Sequence, residues 1–222
     1  LHIFFVYLKD FAKKNHYDFI RVSPFFADTS DIRAKFRANG FRPAPMHILA
    51  EYTWLLDLHV SEAELLKNMA KNHRNLIRRC EREGVRVAMS HGEGALASFN
   101  KLHDVTAARH KFHRFSNDYV RKEFSAFAPD NEAVSFSAYL ADGTLDSAGI
   151  FMYYGNMGAY RHGASILLDK KIPTSYLLQW EAIREAKRRG LNWYNFWGIA
   201  PDNAPPGHPF KGITHFKKGF GG

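Results

Sequence analysis

Three groups of residues in this sequence have the types and spacing to handle charge and protons. Lys71, Arg74, Arg78, Arg79 and Arg82 are separated by three, four, one and three residues, so most of them lie along one side of a helix. Such a row forms a track for phosphates, with binding that weakens as salt rises. The plainer alternative is a solvated helix face partly neutralised by Glu81 and Glu83. Tyr160 and His162 alternate within a strand-like segment, an arrangement that sends both side chains to one face of a sheet. A phenol and an imidazole there could orient a substrate and relay a proton. A histidine satisfied within the sheet is an equal reading, because the chain has 12 histidines and no single one is distinctive. Near the C-terminus Phe216 precedes Lys217 and Lys218. On the residues alone, these two lysines are solvated charges on a basic tail. The cluster Trp193, Tyr194, Phe196 and Trp197 reads mostly as core.

The composition narrows the chemistry. Lys and Arg number 31 against 22 acids, a net charge of +9, which points to an acidic partner: nucleic acid, anionic lipid head groups or a phosphorylated substrate. With 45% hydrophobic and 15% aromatic residues, 222 residues suffice for one large domain or two small ones with a real core. Cys80 is the single cysteine, which excludes a disulfide framework and a multi-cysteine zinc site and fits a reducing cytoplasm. No uncharged apolar run approaches the roughly 20 residues of a membrane-spanning helix. Leu1 to Leu8 has no basic stretch before it and no small-residue cleavage site after it, so it makes a poor signal peptide. The chain opens at Leu1 inside a helical pattern, and a fragment is expected.

The elements that must position these groups follow from periodicity. Phe4, Phe5, Leu8, Phe11 and Ala12 recur at helical spacing ahead of a β-prone run, Phe19 to Val22. Thr29 or Ser30 caps a second helix that Gly40 ends, and the proline-containing segment Phe41 to Pro45 reads as a linker. Tyr52 to Leu58 reads as a buried strand, and Ser61 with Glu64 has capping-box spacing. A basic helix over Asn72 to Glu83, a strand over Val85 to Met89, and helices over 94–110 and 116–127 come next. Three strands then form a meander, Ala133–Leu140, Leu145–Tyr154 and Gly158–Ala164, with Asp142-Gly143 and Gly155-Asn156 at the turns. Pro173 and Thr174 start a helix that Gly190 stops, and a strand over Trp193 to Phe196 leads into a basic, Gly-rich end. The order predicts an α+β fold with helices packed on a mostly antiparallel sheet.

Several stretches together resemble the FemABX-type peptidoglycan-bridge aminoacyltransferases. They are Thr53-Trp54-Leu55-Leu56-Asp57-Leu58; Asn72-His73-Arg74-Asn75-Leu76-Ile77-Arg78-Arg79; Tyr160-Arg161-His162-Gly163-Ala164-Ser165; Ser175-Tyr176-Leu177-Leu178-Gln179-Trp180-Glu181-Ala182; Tyr194-Asn195-Phe196-Trp197-Gly198-Ile199; and the end from Gly212 to Gly222. The resemblance implies a tandem GNAT-like acyltransferase fold. Residues 1–46 would be the C-terminal remnant of a first, partly present domain, and residues 47–222 a second. It also implies a cytoplasmic enzyme that moves an aminoacyl group from aminoacyl-tRNA to an amine of the stem peptide on UDP-MurNAc-pentapeptide or lipid II, with contact to the inner membrane surface. Aminolysis of an ester needs aligned substrates and a stabilised oxyanion, without metal, cofactor or covalent intermediate. The sequence shows no nucleophilic Cys motif, G-x-S-x-G elbow, HExxH or Walker loop.

By this resemblance Lys217 lies where the tRNA 3′ end is bound, steadying the ester oxyanion or a phosphate, with Phe216 offering a face to a base or sugar. Arg114 corresponds to an arginine that grips the UDP-sugar phosphate, a task suited to its planar fork. The family's nearby Tyr aligns with Asp118, and Tyr119 stands one place further on. Tyr160 matches an aromatic hydroxyl of the family that would orient the stem peptide, whereas His162 replaces a second Tyr. Ser23 stands where some members carry an Asp. The row Lys71, Arg74, Arg78 and Arg82 would track tRNA or precursor phosphates.

Two other functions fit parts of the pattern. An acyl-CoA N-acyltransferase on the same fold needs a Gly-rich turn at a helix start, but Leu168 to Thr174 contains no glycine. A non-catalytic RNA-binding module accounts for the charge but not for the ordered aromatic and glycine segments near the C-terminus.

Overall fold

The computed structural model describes residues 1–45, 50–110 and 113–222, which form two compact units, Leu1–Glu51 and Tyr52–Gly222. The boundary expected between residues 46 and 47 lies outside the described residues. In the first unit, α1 (His2–Lys14) and α2 (Ser30–Ala38) are held by an aromatic cluster. The Phe5 ring centroid lies 4.9 Å from that of Phe36 and 4.7 Å from that of Phe41. The Thr29 side chain caps α2 by accepting from the Ile32 amide at 3.2 Å, which satisfies one orphan donor of the first turn. Phe19 to Val22 does not form the expected strand. No other strand lies in this unit's described residues to take up its backbone groups, and local β-propensity alone does not build a ladder.

The second unit is built on β1 (Tyr52–Asp57), β2 (Arg86–Ser90), β3 (Ala133–Tyr139), β4 (Leu145–Tyr154), β5 (Met157–Ser165) and β6 (Trp193–Ile199). They form one sheet in the order β1-β6-β5-β4-β3-β2. Every pairing is antiparallel except β5 with β6, because α7 (Ser175–Arg188) crosses between those two strands. The other helices are α3 (Glu62–Asn68), α4 (Lys71–Arg82), α5 (Gly94–His110), α6 (Asn117–Phe127) and α8 (Lys211–Lys218). The Ser61–Glu64 capping box forms at the start of α3. The basic, Gly-rich end contains α8, a helix that the sequence reading left out.

The two faces of the sheet carry separate cores. Phe136, Phe151, Tyr153, Tyr194 and Phe196 pack with Ile77, Leu177, Ile183 and Phe220 on the side of α4 and α7. Ala133, Ala148, Ile150 and Ala164 pack with Leu96, Phe99, Leu102, Val120 and Phe124 on the side of α5 and α6.

Two features of the central strands matter for function. In β5 the register shifts: Tyr160 pairs with Phe151 and His162 with Ile150, so Arg161 is an extra residue, a β-bulge. Phe151 and Ile150 belong to opposite faces, and their partners do too. The expectation that Tyr160 and His162 share a face is therefore corrected. Strict alternation fails because one inserted residue reverses it. The same insertion brings Tyr160 and Gly163 onto one side, with the phenol lying so close that a Cβ on Gly163 would sit 1.6 Å from its oxygen.

The second feature is a split in the sheet. The β5–β6 pairing runs only from Met157↔Trp193 to Ala159↔Asn195, although β5 continues to Ser165 and β6 to Ile199. β6 carries its own irregularity here. Leu55 pairs with Asn195 and Thr53 with Gly198, so β6 holds one residue more than β1 over that stretch.

Candidate functional site

Lys217, on α8, sits at this split. It is 5% exposed, and its Nζ donates to the Gly198 carbonyl at 2.6 Å. The Nζ also lies 5.9 Å from the Tyr160 ring centroid and 6.0 Å from that of Phe210. Among the described residues no carboxylate pairs with it. Burial pulls its ammonium down from 10.5 to about 8, so at neutral pH it remains mostly a cation in apolar surroundings. Such a charge acts on developing negative charge far more strongly than a solvated one. Burial pushes the Tyr160 phenol up to about 12, so this hydroxyl stays protonated and able to donate. Phe210, whose ring covers Lys217, comes from the loop between β6 and α8.

Phe216 is partly buried in an aromatic cluster, its ring centroid 5.0 Å from Tyr176 and 5.3 Å from Phe220. Its carbonyl accepts from Nε2 of His73, a fully buried side chain on α4, at 2.9 Å. Gly219 packs directly on that imidazole: a Cβ there would meet His73 Cε1 at 2.0 Å. The Asn-His-Arg-Asn stretch and the C-terminal Lys-Gly-Phe stretch therefore interlock, and together they place Lys217.

On the opposite face, His162 and Arg161 converge on Glu123 of α6. His162 Nε2 lies 2.7 Å from Glu123 Oε2, and Arg161 Nε and Nη2 lie 2.9 Å and 2.8 Å from Oε1. Burial raises the Glu123 carboxyl, but the hydrogen bonds from His162 and Arg161 outweigh it and hold the group below its ordinary value. Tyr119 joins through its hydroxyl, 3.4 Å from both Glu123 and Arg161. His103 lies behind, its ring centroid 6.1 Å from that of His162. Burial foremost, then the neighbouring His162 and Arg114 charges, pull it down to about 4. Arg114 is ion-paired to Asp104, its Nε 2.6 Å from Oδ1. The bulge thus divides the sequence candidates, with Lys217, Tyr160 and Phe216 on one side and His162, Tyr119 and Arg114 on the other. A cavity of about 360 Å³ lined by Asn100, Asn117 and Arg121 lies between α5 and α6 and includes none of these candidates.

The basic row on α4 is only partly available. Lys71, Arg78 and Arg82 are exposed. Arg74 Nη1 donates to the carbonyls of Leu66, Lys67 and Met69, closing the C-terminus of α3, so Arg74 has a structural job that its place in the row did not indicate. Glu123, Arg161 and Trp197 escaped the sequence reading as site residues. The only signal was that Arg161 stands between the two residues singled out.

A model of the FemAB family matches residues 27–141 and 143–222. The chain belongs to the FemAB family. The aminoacyltransferase FemA of Staphylococcus epidermidis is 36% identical over 83 residues, 33% of this chain and 18% of FemA. This FemAB chain therefore spans under a fifth of the length of that curated relative. The crystal structure of FemX superposes with a TM-score of 0.77 at 17% identity, covering 86% of this chain and 65% of FemX. L-PGS from Bacillus licheniformis superposes with a TM-score of 0.56 at 15% identity, covering 86% of this chain and 62% of that one. At these identities the likenesses establish a shared fold.

Proposed function

We propose that this FemAB chain transfers an aminoacyl group from aminoacyl-tRNA to an amine of a peptidoglycan-precursor stem peptide, carried on UDP-MurNAc-pentapeptide or lipid II. The amine nitrogen attacks the ester carbonyl, an oxyanion forms and collapses, and the ester C–O bond breaks. The tRNA 3′-terminal hydroxyl leaves with the proton lost by the amine. Lys217 stabilises the oxyanion, and the Tyr160 hydroxyl orients the peptide beside it. The reading rests above all on Lys217, a buried cation with no carboxylate partner among the described residues, where the central strands part. Phe216 supplies an aromatic edge near the esterified end, and exposed Lys71, Arg78 and Arg82 attract tRNA phosphates. Arg114 releases Asp104 to bind the acceptor's phosphates, with Tyr119 nearby. His162, whose Nε2 is engaged by Glu123, supports this side rather than relaying the amine proton. Residues 1–46 are assigned to the end of one acyltransferase-like domain and 47–222 to a second. The reaction belongs in the cytoplasm, at the inner membrane surface when the acceptor is lipid-linked.

Acyl-CoA is disfavoured as donor by the start of α7. The buried Asp146 carboxylate accepts from Thr174, the N-cap of α7, at 2.6 Å and from the Leu168 amide at 2.7 Å. A carboxylate in this position repels the pyrophosphate that a helix N-terminus would otherwise attract. Filter binding with charged tRNA, uncharged tRNA and UDP-MurNAc-pentapeptide separates the remaining readings. The transferase retains both RNA and precursor. Retention of RNA with no affinity for precursor would replace it with an RNA-binding module.

A further inference from the structure

Residues from the irregular stretches of the two strands meet at the sheet split. Arg161, the bulged residue of β5, lies with its guanidinium carbon 5.1 Å from the Trp197 ring centroid and 5.4 Å from that of Phe115. Trp197 falls in the irregular stretch of β6 and adopts φ +64°, a left-handed conformation rare for a bulky residue. The distortions of the two strands thus aim one cation and one aromatic ring at a common point beside the gap. Phe115 is itself stacked on Tyr119, centroids 4.5 Å apart, so the far wall is also fixed.

The guanidinium is held along one edge only. Nε and Nη2 are spent on Glu123 Oε1, and Nη2 also reaches the Tyr119 hydroxyl. Nη1 donates to no group among the described residues, although the side chain is only 13% exposed. Glu123 is fully engaged, its second oxygen taken by His162, so the carboxylate fixes the fork rather than offering itself to substrate. Two aromatic faces and a bidentate anchor freeze Arg161 in advance of binding, which lowers the entropic cost of using its remaining donors.

We propose that Arg161 is an acceptor-binding residue, presenting its uncommitted Nη1 edge to an anionic oxygen of the precursor, with Glu123, Phe115 and Trp197 as its positioning residues. This rests on the transferase reading above, since it takes the precursor as the ligand. The precursor carries anionic oxygen in two places, the diphosphate and the peptide carboxylates, and a charged Nη1 donor can hydrogen-bond to either.

Isothermal titration of wild type, Arg161→Lys and Arg161→Gln with UDP-MurNAc-pentapeptide tests the assignment. UDP-GlcNAc supplies the diphosphate without a carboxylate, and the free stem pentapeptide supplies carboxylates without phosphate. Both variants should bind the whole precursor on the order of 10- to 100-fold more weakly, the loss of a charge-assisted hydrogen bond. The truncated probe whose binding falls in parallel identifies the anion. Arg161→Lys keeps a positive charge for Glu123, and its thermal unfolding reports whether the fold survives. Wild-type affinity in Arg161→Lys would show that charge alone suffices and overturn the proposal, as would unchanged precursor binding in a folded Arg161→Gln. No binding of precursor by the wild type would instead overturn the transferase reading, and this inference with it.

Discussion

Replacing Lys217 by Met removes a charge while keeping an unbranched side chain, and the structure fixes how stability should respond. Lys217 falls from 10.5 to about 8 in the fold because of burial, and about 1.4 kcal/mol accompanies each unit. The charged ammonium therefore costs the wild type about 3 kcal/mol of stability near neutral pH. Below about 8 both folded and unfolded chains hold the proton, and the cost is present in full. Between about 8 and 10.5 only the unfolded chain holds it, so wild-type stability rises with pH relative to the variant. Above 10.5 both are neutral and the cost is gone. Against this, Met leaves the Gly198 carbonyl without its donor, a loss of about 1–3 kcal/mol at any pH. Lys217→Met should then match the wild type or exceed it by up to about 2 kcal/mol at pH 7, yet be the less stable protein at pH 11. Urea unfolding followed by tryptophan fluorescence at the two pH values measures the difference, and the tyrosine titrations common to both proteins cancel. A difference that does not change with pH would refute the claim that Lys217 is a desolvated cation. Transfer activity should be lost in the same variant, so at pH 7 a fold at least as stable as the wild type would accompany a dead site.

Gly219→Ala should lose about 1–3 kcal/mol in urea unfolding, because the added Cβ overlaps the buried His73 ring. Arg74→Ala should lower stability by about 1–2 kcal/mol and leave the salt dependence of RNA binding unchanged. Arg78→Ala should do the reverse, reducing the slope of log affinity against log salt by about one unit. Glu123→Gln should flatten the acid limb of thermal stability. The folded Glu123 carboxyl titrates below its ordinary 4.5, so wild-type stability from this site is present above that value and fades as pH falls through the lower folded value. Parallel acid profiles for the two proteins would contradict the hydrogen bonding drawn around that carboxylate.

Elements whose signals are local were legible in the sequence. The Ser61–Glu64 box, the Asp142-Gly143 turn and the Pro173 start of α7 each combine a backbone requirement with a residue that meets it, and each lies where expected. The C-terminal helix was hidden because Gly212 in its first turn weakens its propensity; packing of Gly219 on His73 and of Lys217 on Gly198 accompanies it instead. Phe19 to Val22 had β-propensity but, among the described residues of its unit, no partner strand. The bulge at Arg161 was not readable, since nothing in Tyr160-Arg161-His162 signals an inserted residue. The cause lies in register with β4, a non-local property. That single unread residue moved His162 away from Lys217 and joined it to Glu123, a carboxylate 39 positions earlier in the chain.

Mass spectrometry of UDP-MurNAc-pentapeptide after incubation with this chain and a mixture of charged tRNAs addresses the central claim most directly. The precursor should gain the mass of one aminoacyl residue with wild-type protein and none with Lys217→Met, the added mass identifying the donor amino acid. An unmodified precursor in the presence of folded wild type that binds both substrates, or an equal gain with Lys217→Met, would contradict a transfer reaction centred on Lys217.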